Sequence, residues 1–62
     1  MMYTFVFYRS ARSGEIGPQV EQEQRFATNK TDAIKTGKSM AASAGWRLIQ
    51  INDATENIIF SK

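Results

Sequence analysis

The sequence predicts an α+β fold in the order ββαββ, with a four-stranded antiparallel sheet and one helix packed on one of its faces. A single stretch has helical periodicity and a residue suited to capping at each end. The other apolar runs are short, rich in β-branched and aromatic residues, and bounded by turn formers. The chain has 62 residues, which is the size of one domain, so residues 1–62 are expected to form a single unit.

The helix is predicted between caps at Asn29 and Gly45. Asn29 can accept a first-turn N–H, Asp32 places a negative charge near the positive helix end, and Gly45 allows the left-handed backbone that ends a helix. Small and apolar residues share one face of this helix: Ala33, Ile34, Gly37, Met40, Ala41 and Ala44. This face is expected to lie close over the sheet, with Trp46 folding back near Ala41, while the opposite face carries Lys30, Lys35, Lys38 and Ser39.

The chain before the helix is predicted to form a hairpin. Its first strand, Met2–Tyr8, is apolar on both faces, so the pattern does not decide whether Tyr3, Phe5 and Phe7 or the alternate residues face the helix. The loop Arg9–Pro18 follows and contains Arg12. The second strand, Gln19–Ala27, alternates between Val20, Gln22, Gln24 and Phe26 on one face and Gln19, Glu21, Glu23 and Arg25 on the other, and its polar side is expected to point outward.

The chain after the helix is predicted to form a second hairpin from strands Trp46–Asn52 and Asn57–Ser61, joined by the turn Asp53–Glu56. Regular alternation in the third strand would place Arg47, Ile49 and Ile51 opposite to Trp46, Leu48 and Gln50. One helix covers only one face of a sheet, so apolar residues of the other face should meet solvent, a partner protein or a second copy of the chain.

Enzyme chemistry is poorly supported by the composition. The chain has no His and no Cys, which removes the usual acid–base group at neutral pH, the thiol nucleophile, disulfides and common zinc ligands. Glu21 and Glu23 share a strand face, but Arg25 follows them, which is typical of a solvated charged surface. The turn Asp53–Glu56 lacks the spacing of a calcium loop. We therefore expect no catalytic residue, no metal site and no cofactor.

The charge balance is mild, with eight Lys and Arg against six Asp and Glu. The N-terminal residues lack the basic segment and long apolar run of a signal peptide or membrane span, so we expect no membrane association and a cytoplasmic location. Tyr8, Arg9 and Arg12 combine residue types common in interface hot spots, and with Lys35 and Lys38 they are the candidate partner-binding residues. Two interpretations stay open: docking on a protein-containing complex, and direct nucleic-acid binding through the basic loop and helix face.

The segments Thr31–Lys35 (TDAIK) and Ala41–Trp46 (AASAGW), the ββαββ order, the small size and the absence of Cys together resemble the very short αβ proteins of bacteriophages and mobile elements, among them anti-CRISPR inhibitors. The resemblance implies a stoichiometric inhibitor that docks on a larger bacterial nucleic-acid-handling defence complex. These inhibitors share no common motif, so the resemblance assigns no functional residue, and the acidic, DNA-mimicking character of many of them is absent here.

Overall fold

The computed structural model describes residues 1–11 and 13–62, and over these residues it confirms the ββαββ order. The sheet is antiparallel throughout, with the strand order β2-β1-β3-β4. The elements are β1 (Met2–Arg9), β2 (Gln19–Phe26), α1 (Lys30–Ala44), β3 (Arg47–Asn52) and β4 (Ile58–Ser61). Among the residues described, no helix is both long and apolar enough to cross a membrane.

Both predicted caps of α1 are confirmed. The Oδ1 atom of Asn29 accepts the N–H of Asp32 at 2.8 Å, and Asp32 Oδ2 accepts the N–H and hydroxyl of Thr28 at 3.0 and 3.1 Å. At the other end Gly45 adopts φ 72° and ψ 22° and donates its N–H to the carbonyl of Ala41. The first and last turns of the helix therefore bond locally, as the sequence predicts.

The helix packs on the sheet through its small residues. Ala33, Gly37 and Ala41 are buried, and Ile34 and Met40 are half-buried beside them. A Cβ atom on Gly37 would lie 3.0 Å from Phe5 Cδ1, 3.1 Å from Leu48 Cδ2 and 3.2 Å from Ile51 Cδ1. Glycine at this position thus sets how closely the helix approaches the sheet. Ala44, which was predicted on the packed face, is instead exposed.

The core settles which side of β1 meets the helix. Tyr3, Phe5 and Phe7 are buried, whereas Met2 and Tyr8 on the alternate face are exposed. The core is completed by Ala27, Ala33, Ala41, Leu48 and Ile51. Trp46 also packs on it, with its ring centroid 5.6 Å from that of Phe7.

The predicted alternation of the third strand is wrong, because β3 contains a bulge. Val6 pairs with Gln50 and Phe7 pairs with Leu48, which leaves Ile49 without a partner on β1. One extra residue reverses the alternation beyond it, so Leu48 and Ile51 both face the helix and both are buried.

The predicted orientation of the second strand is also wrong. β2 pairs with β1 in register, so Glu21 lies opposite Phe7 and Glu23 opposite Phe5 on the helix side of the sheet. The less polar residues Val20 and Phe26 face the other side and are exposed. The register with the core of β1 decides the orientation, and the charged residues remain solvated because α1 packs mainly over β3 and β1.

Candidate functional site: the open face of the sheet

The face of the sheet turned away from α1 is the main uncovered surface of the described residues, and we call it the open face. β1 contributes Met2, Thr4, Val6 and Tyr8. Directly opposite them, β2 contributes Phe26, Gln24, Gln22 and Val20. The partners on β3 are Asn52, Gln50 and Arg47, and β4 adds Ile58 and Ser61. Opposed residues of antiparallel strands lie on the same side of a sheet, so these side chains form one surface.

The open face is apolar and amide-rich. Phe26 is 70% exposed and Val20 60% exposed, and Met2 and Tyr8 are exposed beside them. The residues that β1 and β2 place on this face include no charged side chain, and Arg47 of β3 is the charged residue that borders Tyr8. A surface that combines aromatic and aliphatic side chains with neutral hydrogen-bonding groups has the composition of a protein interface core, from which charges are depleted.

Arg9, predicted as a binding residue, is held by the hairpin itself. Its Nε donates to Glu21 Oε1 at 2.8 Å, and its other nitrogens contact the Glu15 carboxylate at 3.0 and 3.1 Å. The hydrogen bonds to Glu15 and then to Glu21 raise the pKa of the guanidinium above its ordinary value. Only 12% of the Arg9 side chain is exposed. Its contacts therefore join the loop to β2 within the hairpin.

The candidate residues do not form one cluster. Tyr8 lies on the open face, whereas Lys35 lines a groove on the helix side. Lys38 has its Nζ 5.9 Å from the ring centroid of Phe60, a cation–π contact that the sequence did not suggest. Arg12 lies outside the described residues. The structure thus places Tyr8 on a different surface from Lys35 and Lys38.

The groove that Lys35 lines has a volume of about 630 Å³ and runs between α1 and β2. Phe7, Met40 and Trp46 form its apolar part, and Glu23 and Arg25 lie along the strand side. Charges of both signs border it, and Glu23 and Arg25 contact each other at 3.7 Å. The groove therefore shows no preference for an anionic or a cationic ligand.

Glu21, Glu23 and Asp53, which are among the described carboxylates, have structural partners. Glu21 bonds Arg9, Glu23 contacts Arg25, and Asp53 Oδ1 accepts the N–H groups of Thr55 and Asn57 at 2.9 Å. The hydrogen bonds to Asp53, with the Asn57 N–H as the largest contributor, lower the pKa of this carboxyl below its ordinary value. Within the described part of the chain, no three acidic residues gather as a metal site would require.

No protein-family model, curated protein or solved structure matches the chain. By its fold and surface, the protein is a small α+β domain whose antiparallel sheet carries a helix on one face and leaves the other face open. Sequence reasoning missed Val20 and Phe26 as surface residues. In the hairpin register they lie opposite Tyr8 and Met2, on the face turned away from Phe5 and Phe7. Knowledge of that register would therefore have identified them.

Proposed function

We propose that this domain is a non-catalytic binding protein that docks on a larger protein-containing complex through the open face of its sheet. The observation that carries the proposal is the exposure of Met2, Tyr8, Val20 and Phe26 on one surface to which β1 and β2 add no charge. Covering such side chains with a partner removes apolar area from water at about 25 cal/mol per Å². Tyr8 lies on a central strand of that surface, where an aromatic side chain is best shielded by its neighbours in a complex.

The size of the domain is compatible with this mode of binding. A stable protein interface takes about 800 Å² from each partner. The described surface amounts to 4345 Å², so such an interface would take roughly a fifth of it.

The kind of complex is proposed from the resemblance to short phage-borne inhibitors. The chain lacks His and Cys, and the carboxylates of Glu21, Asp32 and Asp53 are engaged in an ion pair, a helix cap and a turn. These features favour a protein that acts by binding and blocking a surface over one that acts by catalysis. We propose a stoichiometric inhibitor that blocks a bacterial nucleic-acid-handling defence complex by covering a protein surface on it.

Direct nucleic-acid binding is the competing prediction. It depends on cations that act together against phosphates. Arg9 is engaged by two carboxylates and Lys38 lies over Phe60, so these two groups already have intramolecular partners. Lys35 and Lys38 are the described residues through which this alternative can be tested.

The experiment is capture of bacterial complexes by the tagged chain, with and without nuclease, followed by reconstitution with the purified complex. We expect nuclease-resistant capture, inhibition at equimolar chain, and unchanged affinity in the double variant Lys35→Gln/Lys38→Gln. Loss of capture on nuclease treatment, with affinity that falls steeply as salt increases, would instead establish nucleic-acid binding. Turnover of a substrate by the purified chain would also contradict the proposal.

A further inference from the structure

The two edges of the sheet differ in their capacity to pair with another strand. β4 has only four residues, and the extra residue Ile59 interrupts its register with β3. β2 has eight residues, and all eight pair with β1 without a register shift. Proteins usually blunt an edge with short strands, bulges, proline or charged side chains. β2 has no bulge and no proline along its length, and its charged residues Glu21, Glu23 and Arg25 carry both signs. β2 is therefore the edge that remains competent for pairing.

The hydrogen bonds at the end of the β1–β2 ladder show which backbone groups of β2 point outward. Ala27 donates its N–H to the Met1 carbonyl at 2.9 Å, and Met1 N donates to the Ala27 carbonyl at 3.0 Å. Antiparallel pairs alternate between hydrogen-bonded and non-hydrogen-bonded, so Gln19, Glu21, Glu23 and Arg25 bond to β1. The N–H and C=O groups of Val20, Gln22, Gln24 and Phe26 consequently point away from the sheet.

We propose that β2 of one copy pairs antiparallel with β2 of a second copy about a two-fold axis at Glu23, which joins the two sheets into one. In this register Glu21 lies opposite the partner's Arg25, and Val20 lies opposite the partner's Phe26, each twice by symmetry. Every outward-facing residue of β2 then finds a hydrogen-bonding partner. Arg25 can exchange its ion pair, because its contact with Glu23 is long, at 3.7 Å, and its side chain is 59% exposed.

Charge complementarity favours pairing with a second copy, and charge and strand length together select this register over its neighbours. A two-fold axis at Gln22 would place Glu21 opposite the partner's Glu23 twice, which is destabilising. An axis at Gln24 would place Glu23 opposite the partner's Arg25 twice, but it would move Val20 beyond the partner's β2, so the outward groups of Val20 would lose their strand partner. The axis at Glu23 has one unfavourable feature, since Glu23 then faces the same residue of the partner. That feature makes the register testable.

This inference does not rest on the proposed docking function, because pairing uses the edge of β2 whereas docking uses the open face, with Tyr8 on β1. Sedimentation of the full chain over a wide concentration range measures the association. We expect a reversible monomer–dimer equilibrium for the wild type and for Gln24→Thr, which keeps the outward N–H. Gln24→Pro removes that N–H at an edge position where proline is tolerated, and it should be monomeric with an unchanged circular dichroism spectrum.

Two charge variants test the register independently of proline. Glu23→Gln removes the like-charged pair and should tighten dimerisation by up to about fivefold. Arg25→Glu places like charges opposite Glu21 of the partner and should weaken dimerisation. A monomeric wild type at every concentration, a dimer insensitive to Gln24→Pro, or weaker dimerisation in Glu23→Gln would each overturn the proposal.

Discussion

Gly37 sets the distance between α1 and the sheet. Its missing side chain leaves room for Phe5, Leu48 and Ile51, all of which are buried. Glycine inside a helix normally costs about 1 kcal/mol relative to alanine. Here close packing offsets that cost, since a Cβ atom would stand closer to three core atoms than ordinary contact allows.

Substitution Gly37→Ala tests this balance. Overpacking of a core costs about 1–3 kcal/mol, which outweighs the gain of about 1 kcal/mol in helix propensity. We expect a net fall of about 1 kcal/mol in the free energy of unfolding, measured by urea denaturation. The control is Ala42→Gly on the exposed side of α1, which should lose about 1 kcal/mol from propensity alone. A more stable Gly37→Ala variant would show that the helix can move away from the sheet.

Single residues divide into those that the sequence predicts and those that it does not. Asn29 and Gly45 act through groups within a few residues along the chain, so local rules identify them. The contacts of Arg9 with Glu21 and of Lys38 with Phe60 join residues that only the folded topology brings together. Residue type alone therefore suggested a binding role for side chains that have internal partners.

At the scale of the element, the N-terminus of α1 is closed by reciprocal bonds. Asn29 accepts from the Asp32 N–H, and Asp32 accepts from the N–H and hydroxyl of Thr28. The Thr28 N–H, followed by its hydroxyl, lowers the pKa of Asp32 below 3.8. The arrangement also places the carboxylate where the positive end of the helix dipole favours it.

These shifts predict a pH dependence of stability. In the folded state the pKa values of Asp32 and Asp53 lie below their unfolded values, so the ionised carboxylates stabilise the folded protein. This stabilisation is fully present above about pH 4 and is lost as the pH falls through the folded pKa values. We expect Asp32→Asn to flatten the fall of unfolding free energy with decreasing pH. Thr28→Val keeps the backbone donor and should flatten it less. An unchanged pH profile in Asp32→Asn would contradict this assignment.

The strands show where sequence patterns stop being informative. β1 and the caps of α1 follow the predicted boundaries closely, because aromatic composition and cap chemistry are local signals. The bulge at Ile49 has no such signal, since Ile49 is as good a strand former as its neighbours. Both faces of β2 carry polar residues, so the residue pattern does not show which face turns toward the helix. The pairing of β2 with Phe5 and Phe7 of β1 decides it.

For the whole molecule, the fold class follows from the sequence, but the separation of its surfaces does not. The structure places Tyr8 on the open face, Lys35 in the groove beside α1 and β2 at an edge without bulge or proline. Face and edge are independent surfaces of one sheet. A dimer joined at β2 would present two open faces side by side, and each could hold a partner.

The most direct measurement of the central claim is the affinity of the captured complex for Tyr8→Thr, compared with Ile16→Thr. Tyr8 lies on the open face, whereas Ile16 is 98% exposed in the loop. Both substitutions remove exposed apolar area, but only Tyr8→Thr removes it from the open face. We predict that Tyr8→Thr weakens binding by at least about tenfold, as for an interface hot spot, and that Ile16→Thr binds like the wild type. Wild-type affinity in a folded Tyr8→Thr variant, or an equal loss in Ile16→Thr, would contradict docking through the open face.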